Sequence, residues 1–264
     1  MAFETILFEK QGAIARITLN RPERLNAITW QMMEEILDAV DDCAKEESVR
    51  VLVFSGAGRA FSSGDDIVAG MGTRNRGGEP GGINTDRGLH HKLVKELMQL
   101  PKPVVAAIHG RCHGAGWVIS LACDFRVGRS DAMVGDIRSG RAIFAGQGAP
   151  LLLPRLIGQS RAMDLLMTGR VIDAVEAERI GYLNRVWPEE SYERELGAFL
   201  DDLAGGPTKT YAAWKLSVNR SVLNELDAYT DYERGLANLV RQTQDSTEGR
   251  DSFREKRPPK YIGR

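Results

Sequence analysis

The sequence predicts an α/β fold, on three observations. Two short runs, 51-VLVF-54 and 104-VVAAI-108, are apolar throughout, as strands are when a sheet is covered on both faces. Each is followed by a glycine-bearing turn and then by apolar residues at helical spacing, the pattern of an α/β crossover. After Pro207 the pattern turns wholly helical, with no strand signal.

The elements follow in order. Residues 3–9 and 13–19 alternate and flank Gln11-Gly12, which predicts a β-hairpin. Thr29 can cap a helix whose apolar positions are Met32, Ile36, Val40 and Cys43. Residues 70–85 are glycine-rich and read as a loop. Leu89, Leu93, Leu97 and Leu100 mark the next helix, closed by Pro101 and Pro103. The run 117-WVISLAC-123 is a further helical candidate. Near the end Tyr211, Trp214, Val218 and Val222, then Leu226, Tyr229, Leu236 and Val240, suit helices that pack on the core or on a neighbouring subunit. Asp245, with Glu248 three residues on, is the expected cap of a last short helix.

Composition narrows the function classes. The 264 residues carry 35 basic and 36 acidic side chains, a net charge of −1. No global field draws such a chain to nucleic acid or to an anionic membrane. Cys43, Cys112 and Cys123 are odd in number and form no CxxC, so reduced core thiols are expected, with neither a disulfide framework nor a zinc cluster. The N-terminal stretch has no basic segment leading into an apolar one, and no run approaches the ~18 apolar residues of a membrane span. A cytoplasmic protein is expected.

Two glycine turns carry the chemistry. In 61-FSSGDDI-67 a strand has ended and Gly64 lets the chain turn; in 109-HGRCHGAGW-117, Gly110, Gly114, Ala115 and Gly116 lead into an apolar helix. Unpaired N–H groups at both turns would form an oxyanion hole if they converged, each donor contributing ~3 kcal/mol. The bland reading is a pair of tight turns. No GxxxxGK[ST] or GxSxG occurs, and 56-GAGRAF-61 has Phe61 where a dinucleotide fingerprint needs glycine.

At these residues the chain resembles the crotonase superfamily of enoyl-CoA hydratases and isomerases. The resemblance runs through 20-NRPERLNAIT-29, 59-RAFSSGDDI-67, 101-PKPVVAAIHGRCHGAGWVISLACDFRV-127, 146-GQGAPLLLPRLIG-158, 168-TGRVIDAVEAERIGYLNRV-186 and 247-TEGRDSFREKRPPKY-261. It implies a spiral of ββα units over residues 1–200 and a helical C-terminal region, 201–264, that forms homotrimers or dimers of trimers. It implies an acyl-CoA thioester substrate, no metal, and no cofactor beyond the coenzyme A of the substrate itself. The oxyanion donors it implies are the backbone N–H groups of Asp65 and Ala115. Gly64 and Gly114 stand beside them, Glu23, Arg24 and Leu25 match the segment that contacts coenzyme A, and Ser63, Asp66 and Ile67 line the same cleft.

One departure matters. The two glutamates that handle water in family hydratases are replaced by Val118 and Arg138. Valine moves no proton, and arginine stays protonated. Isomerase, decarboxylase or hydrolase chemistry is therefore expected over ordinary hydration. Asp136 and His113 are the candidate replacements. Asp136 and Arg138 would share a face if they lie on a strand, or pair with each other, and Arg138 would suit a substrate carboxylate. Asp66 reads as a turn or capping acid, and His90 and His91 as solvent-facing. The alternatives are a true hydratase using other residues, a silent CoA-binding protein, a nicotinamide oxidoreductase and an oligomeric scaffold.

Overall fold

The structure, a computed structural model, describes residues 3–66, 88–144 and 146–264, so the expected loop at 70–85 lies outside the described residues. The chain opens with the expected hairpin, β1 (Ile6–Gln11) and β2 (Ile14–Leu19), antiparallel about Gly12. A 3₁₀ turn at Pro22–Arg24 leads to α1 (Trp30–Lys45). Thr29 caps α1 as read from the sequence, its hydroxyl accepting the Met32 N–H at 3.1 Å, and Met32, Ile36, Val40 and Cys43 are all buried.

A repeat then sets in. One strand enters a large sheet, the next a small sheet, and a helix packs over both. The first unit is β3 (Val51–Gly56) and β4 (Ala60–Ser62), with α2 (Leu89–Gln99). The next is β5 (Val104–Ile108), β6 (Arg111–His113) and α3 (Gly114–Ala122). It is followed by β7 (Phe125–Arg129), β8 (Met133–Gly135), α4 (Ala149–Ile157) and α5 (Gln159–Thr168). β9 (Ile172–Asp173), α6 (Ala174–Arg179) and β10 (Arg185–Trp187) close the spiral. The large sheet runs β1-β2-β3-β5-β7-β10 and the small one β4-β6-β8-β9. The helical C-terminal region is α7 (Glu189–Gly205), α8 (Thr208–Arg241) and α9 (Gln244–Arg254).

The covered-sheet reading of β3 and β5 holds. Leu52, Phe54, Val104, Ala106 and Ile108 enter the main core, while Val51, Val53, Val105 and Ala107 pack under Tyr192, Leu196 and Phe199 of α7. Both faces are buried, so alternation disappears. Cys43, Cys112 and Cys123 are free and buried, and burial pushes each thiol up to about 12. The last cap differs from expectation. Thr243, not Asp245, caps α9, its hydroxyl accepting the Ser246 N–H at 3.0 Å. Asp245 sits inside the first turn and accepts the N–H groups of Ile262 and Gly263, holding the chain end.

α3 is anchored at its far end by a buried arginine. Arg126, 4% exposed, donates to the carbonyls of Ser120, Cys123 and Tyr182. A cation on the last carbonyls of a helix satisfies groups that have no intrahelical partner and favours the dipole. The orientation of α3, and so of its N-terminus, is fixed from below.

Asn26 ties the 20–29 segment to the β3–β4 turn. It is fully buried, its Oδ1 accepts the Arg21 N–H, and its Nδ2 donates to the carbonyls of Ala57 and Ala60. Its φ of 52° is one that asparagine tolerates better than most residues. Asn26→Ala leaves an N–H and two carbonyls without these partners, and we expect a loss of about 2–4 kcal/mol in urea unfolding; wild-type stability in the variant would contradict this account of the segment.

Candidate functional site

β4 and β6 lie side by side and parallel, with Ala60 opposite Arg111 and Ser62 opposite Cys112. The chain leaves both strands at the same edge, so two turns distant in sequence become neighbours. Their closest approach is glycine on glycine. A Cβ built on Gly64 (φ 97°) would stand 3.2 Å from the Gly114 Cα and 3.5 Å from the Ala115 N; one on Gly114 (φ 54°) would stand 3.2 Å from the Gly64 Cα and 4.0 Å from the Asp65 N. Both positions need positive φ, and both need the missing side chain. Gly116 serves the same junction, because a Cβ there would lie 2.4 Å from the Ser62 Cβ. Ser62 is itself locked, donating to the Asn26 carbonyl and accepting the Gly64 N–H.

The two amides at this junction differ from their neighbours. Gly64 C=O and Asp66 N–H bond Ile28 on either side of Asp65, which turns Asp65's own N–H to the opposite side of that ladder. Ala115 is the second residue of α3, ahead of the first intrahelical donor. The 20–29 segment lies against the first turn: Ser63 N–H donates to the Leu25 carbonyl, Ser63 Oγ to the Arg24 carbonyl, and Arg21 pairs with Asp66 at 2.9 Å. Glu23 and Arg24 are exposed beside it, and Ile67 lies outside the described residues. The 56-GAGRAF-61 stretch is the turn between β3 and β4, so it opens no helix and lacks the context of a dinucleotide fingerprint.

A ring of polar side chains closes around the Asp65 carboxylate. Its Oδ1 meets His90 Nε2 at 2.9 Å, while its Oδ2 meets Gln147 Nε2 at 3.4 Å and Arg138 Nη1 at 4.0 Å. Arg138 also donates to Gln147 Oε1. The next residue, Gly148, donates its N–H to Glu233 of α8, and the same Glu233 oxygen meets His91 Nε2 at 2.8 Å. His90 and His91 are adjacent on α2, which completes the circuit. Burial pushes the Asp65 pKa up, but His90, then Arg138 and Gln147, more than offset it and hold the carboxyl below its ordinary range.

The expectation that His90 and His91 face solvent is wrong. They are 4% and 7% exposed, because buried carboxylates receive them. The signal was present in the helical period: Val94 and Leu97 follow His90 by four and seven residues, and Met98 follows His91 by seven, all buried. Glu233 and Gln147 were missed too. Glu233 continues the buried stripe of Val222 and Leu226; Gln147 had no pattern to mark it.

Asp136 and Arg138 do meet, but not through strand alternation. β8 ends at Gly135, and Arg138 begins the 3₁₀ turn Ser139–Arg141. Asp136 Oδ1 accepts from Arg138 N and Nε at 3.0 and 2.8 Å, and its Oδ2 accepts from Nε and Nη2 at 3.0 and 2.5 Å. The guanidinium is thus taken by Asp136 and Gln147. Val118 is buried in the core on α3. His113 immediately precedes α3, with its Nε2 buried and unpartnered among the described residues. Burial first, then the charge of Arg111, pushes its pKa down to about 4, so it is neutral at pH 7.

The described residues form an α/β spiral of two sheets with a glycine-lined junction at the edge of the small one. The chain's relatives name the family. A family model for enoyl-CoA hydratase/isomerase matches residues 9–264. The crotonyl-CoA hydratase of Syntrophomonas wolfei is 32% identical, with both chains covered completely. The 1,2-epoxyphenylacetyl-CoA isomerase of Escherichia coli K12 is 30% identical over 99% of each chain. A crystal structure of an enoyl-CoA hydratase from Mycobacterium avium subsp. paratuberculosis superimposes with a TM-score of 0.86 at 28% identity, covering 99% of this chain and 100% of that one. The chain belongs to the enoyl-CoA hydratase/isomerase family, the crotonase superfamily, and is an enzyme of that family.

The depressed His113 pKa makes a pH prediction. The unfolded chain takes up a proton near 6.5 and the folded one near 4, so His113 adds stability above 6.5 that is lost as pH falls through that window, at most about 3 kcal/mol. Urea unfolding between pH 7 and 4 should show a shallower decline in His113→Leu than in wild type. Equal slopes would contradict a buried, neutral His113.

Proposed function

We propose that this enzyme processes an acyl-CoA thioester by stabilising its enolate with the backbone N–H groups of Asp65 and Ala115. The observation that carries the reading is the glycine-on-glycine contact at Gly64 and Gly114, which brings the two amides to one junction. Two amide donors in a dry site would supply ~6 kcal/mol to a developing oxyanion. Coenzyme A would lie along Glu23, Arg24 and Leu25, with Ser63, Gly64, Asp66, Ile67 and Gly114 bordering the cleft.

Among the family reactions, carbon-to-carbon proton transfer is favoured over two-glutamate hydration. Val118 is apolar, and no water can be activated by Arg138. Decarboxylation ranks lower, because the Arg138 guanidinium is already engaged by Asp136 and Gln147 and faces Asp65 as well. Hydrolysis ranks with hydration, since it too needs an activated water. A hydratase working through other residues is the second reading, favoured by the 32% identity to the crotonyl-CoA hydratase of Syntrophomonas wolfei. A silent CoA-binding protein is the third.

The C-terminal region would form the expected homotrimer or dimer of trimers. α8 exposes Trp214, Val218, Tyr232 and Leu239, each more than 60% accessible in the isolated chain. Such apolar faces suit burial against a neighbour. A cytoplasmic location accords with the reduced thiols; among the described residues no helix is long and apolar enough to cross a membrane.

Two assays test the reading. Ala115→Pro removes one donor at a helical position that accepts proline. It should lower turnover of any accepted CoA ester ~100- to 1,000-fold with the circular dichroism unchanged; wild-type turnover in the folded variant would refute the role of Ala115. Wild type should isomerise cis-3-hexenoyl-CoA faster than it hydrates crotonyl-CoA, and the reverse order would restore the hydratase reading.

A further inference from the structure

We infer that the Asp65 carboxylate, positioned by His90, is the base that removes and returns the substrate's α-proton. The inference rests on the oxyanion reading above. It selects among the ionisable groups around the junction by the lone pairs each has left. Asp136 has none to offer, since its two oxygens already accept four contacts from Arg138. Glu233 holds His91 and the Gly148 amide on one oxygen, and its other oxygen, though unpartnered among the described residues, is fully buried on α8, one residue removed from Gln147 and so from Asp65. Asp65 has a single close partner, His90 on Oδ1, while on Oδ2 the contacts from Gln147 and Arg138 are long, at 3.4 and 4.0 Å. Of these three carboxylates, Asp65 is the one that stands at the junction itself with lone pairs to spare.

Covalent geometry then places it. The N–H assigned to the thioester oxygen and the carboxylate belong to one residue. The acyl α-carbon is bonded to the carbonyl carbon that the N–H grips. A base on the same residue as the oxyanion donor therefore stands next to the α-C–H, with no further chain needed to bring it there. His90 is buried on α2 with the Trp30 ring 6.1 Å away, edge on, so the partner that fixes Asp65 is itself fixed. The Asp65 carboxyl is held below its ordinary range, so at neutral pH it is ionised, as a base must be.

The step balances. The α-C–H bond breaks, its proton goes to Asp65, and the electron pair moves onto the thioester oxygen. While the enolate stands, the proton on Asp65 exchanges with solvent; the carboxyl then returns a proton to the α-carbon or, in a 3-enoyl thioester, to the γ-carbon. No second acid and no water are required, which fits a site where Val118 and Arg138 replace the hydratase glutamates. The substrate class is an acyl-CoA with an enolisable α-C–H and no free acyl carboxylate, because in the polar ring the Arg138 guanidinium is already engaged by Asp136 and Gln147 and stands beside the Asp65 carboxylate.

Hydrogen exchange into butyryl-CoA in D2O, followed by mass spectrometry, isolates the first step. Wild type should exchange the α-hydrogens. Asp65→Asn and Asp65→Ala, which keep the backbone N–H, should bind butyryl-CoA within a few-fold of wild type yet exchange at least ~100-fold more slowly. His90→Leu should lose ~10-fold, while His90→Gln, which keeps an N–H donor, should retain most of the rate. Either Asp65 variant exchanging at the wild-type rate overturns the assignment of the base. If Ala115→Pro is inert in that case, the oxyanion reading survives it. Wild type that binds butyryl-CoA without exchanging it, or Ala115→Pro that exchanges normally, overturns the oxyanion reading and the base with it.

Discussion

The contact between Gly64 and Gly114 is the constraint on which the rest of the site depends. Two parallel strands of the small sheet deliver their turns to one edge, where a Cβ on either glycine would crowd the other turn at 3.2 Å and at a positive φ that glycine adopts most readily. A side chain at either position would have to push the other turn away, at a backbone conformation that is already unfavourable for it. The surrounding sequence serves that contact. Ser62 and Gly116 interlock beneath it, Asn26 ties the neighbouring segment down, and Arg126 holds the far end of α3. The large sheet and its two cores supply a rigid base for a junction made almost entirely of main chain.

Much of this was legible in the sequence. The hairpin about Gly12, the capped helix from Thr29, the apolar strands and the helical C-terminal region follow from periodicity and punctuation, which are local properties. The misreadings came where a longer-range partner decides. Asp245 looks like a cap, but Thr243 reaches the same helix first and Asp245 serves the chain terminus. Asp136 and Arg138 looked like neighbours on a strand, yet the strand ends before them and a turn folds the arginine back on the aspartate.

The site was half legible. Glycine turns announce exposed backbone, and the turns marked at Gly64 and Gly114 do come together. The polar ring was not legible. His90, His91, Gln147 and Glu233 come from three separate segments, and nothing in the sequence says that α8 folds back onto α2. Two histidines after a glycine-rich stretch read as solvated until carboxylates are seen facing them. Burial of such groups is tolerable because each is paired, and the pairing is a tertiary property.

On the proposed reading, a family scaffold would keep its donors in the backbone while its side-chain acids move. Main-chain amides survive substitution, so the proposed oxyanion function would persist as residues around it change. Its most direct test is the carbonyl stretch of a thioester in the site. Difference infrared spectra of crotonyl-CoA carrying ¹³C at the thioester carbonyl should show that band moved to lower wavenumber than in water, as two aligned N–H donors polarise the bond. A band at its solution position, with the ligand demonstrably bound, would mean that the amides of residues 65 and 115 do not hold the oxygen.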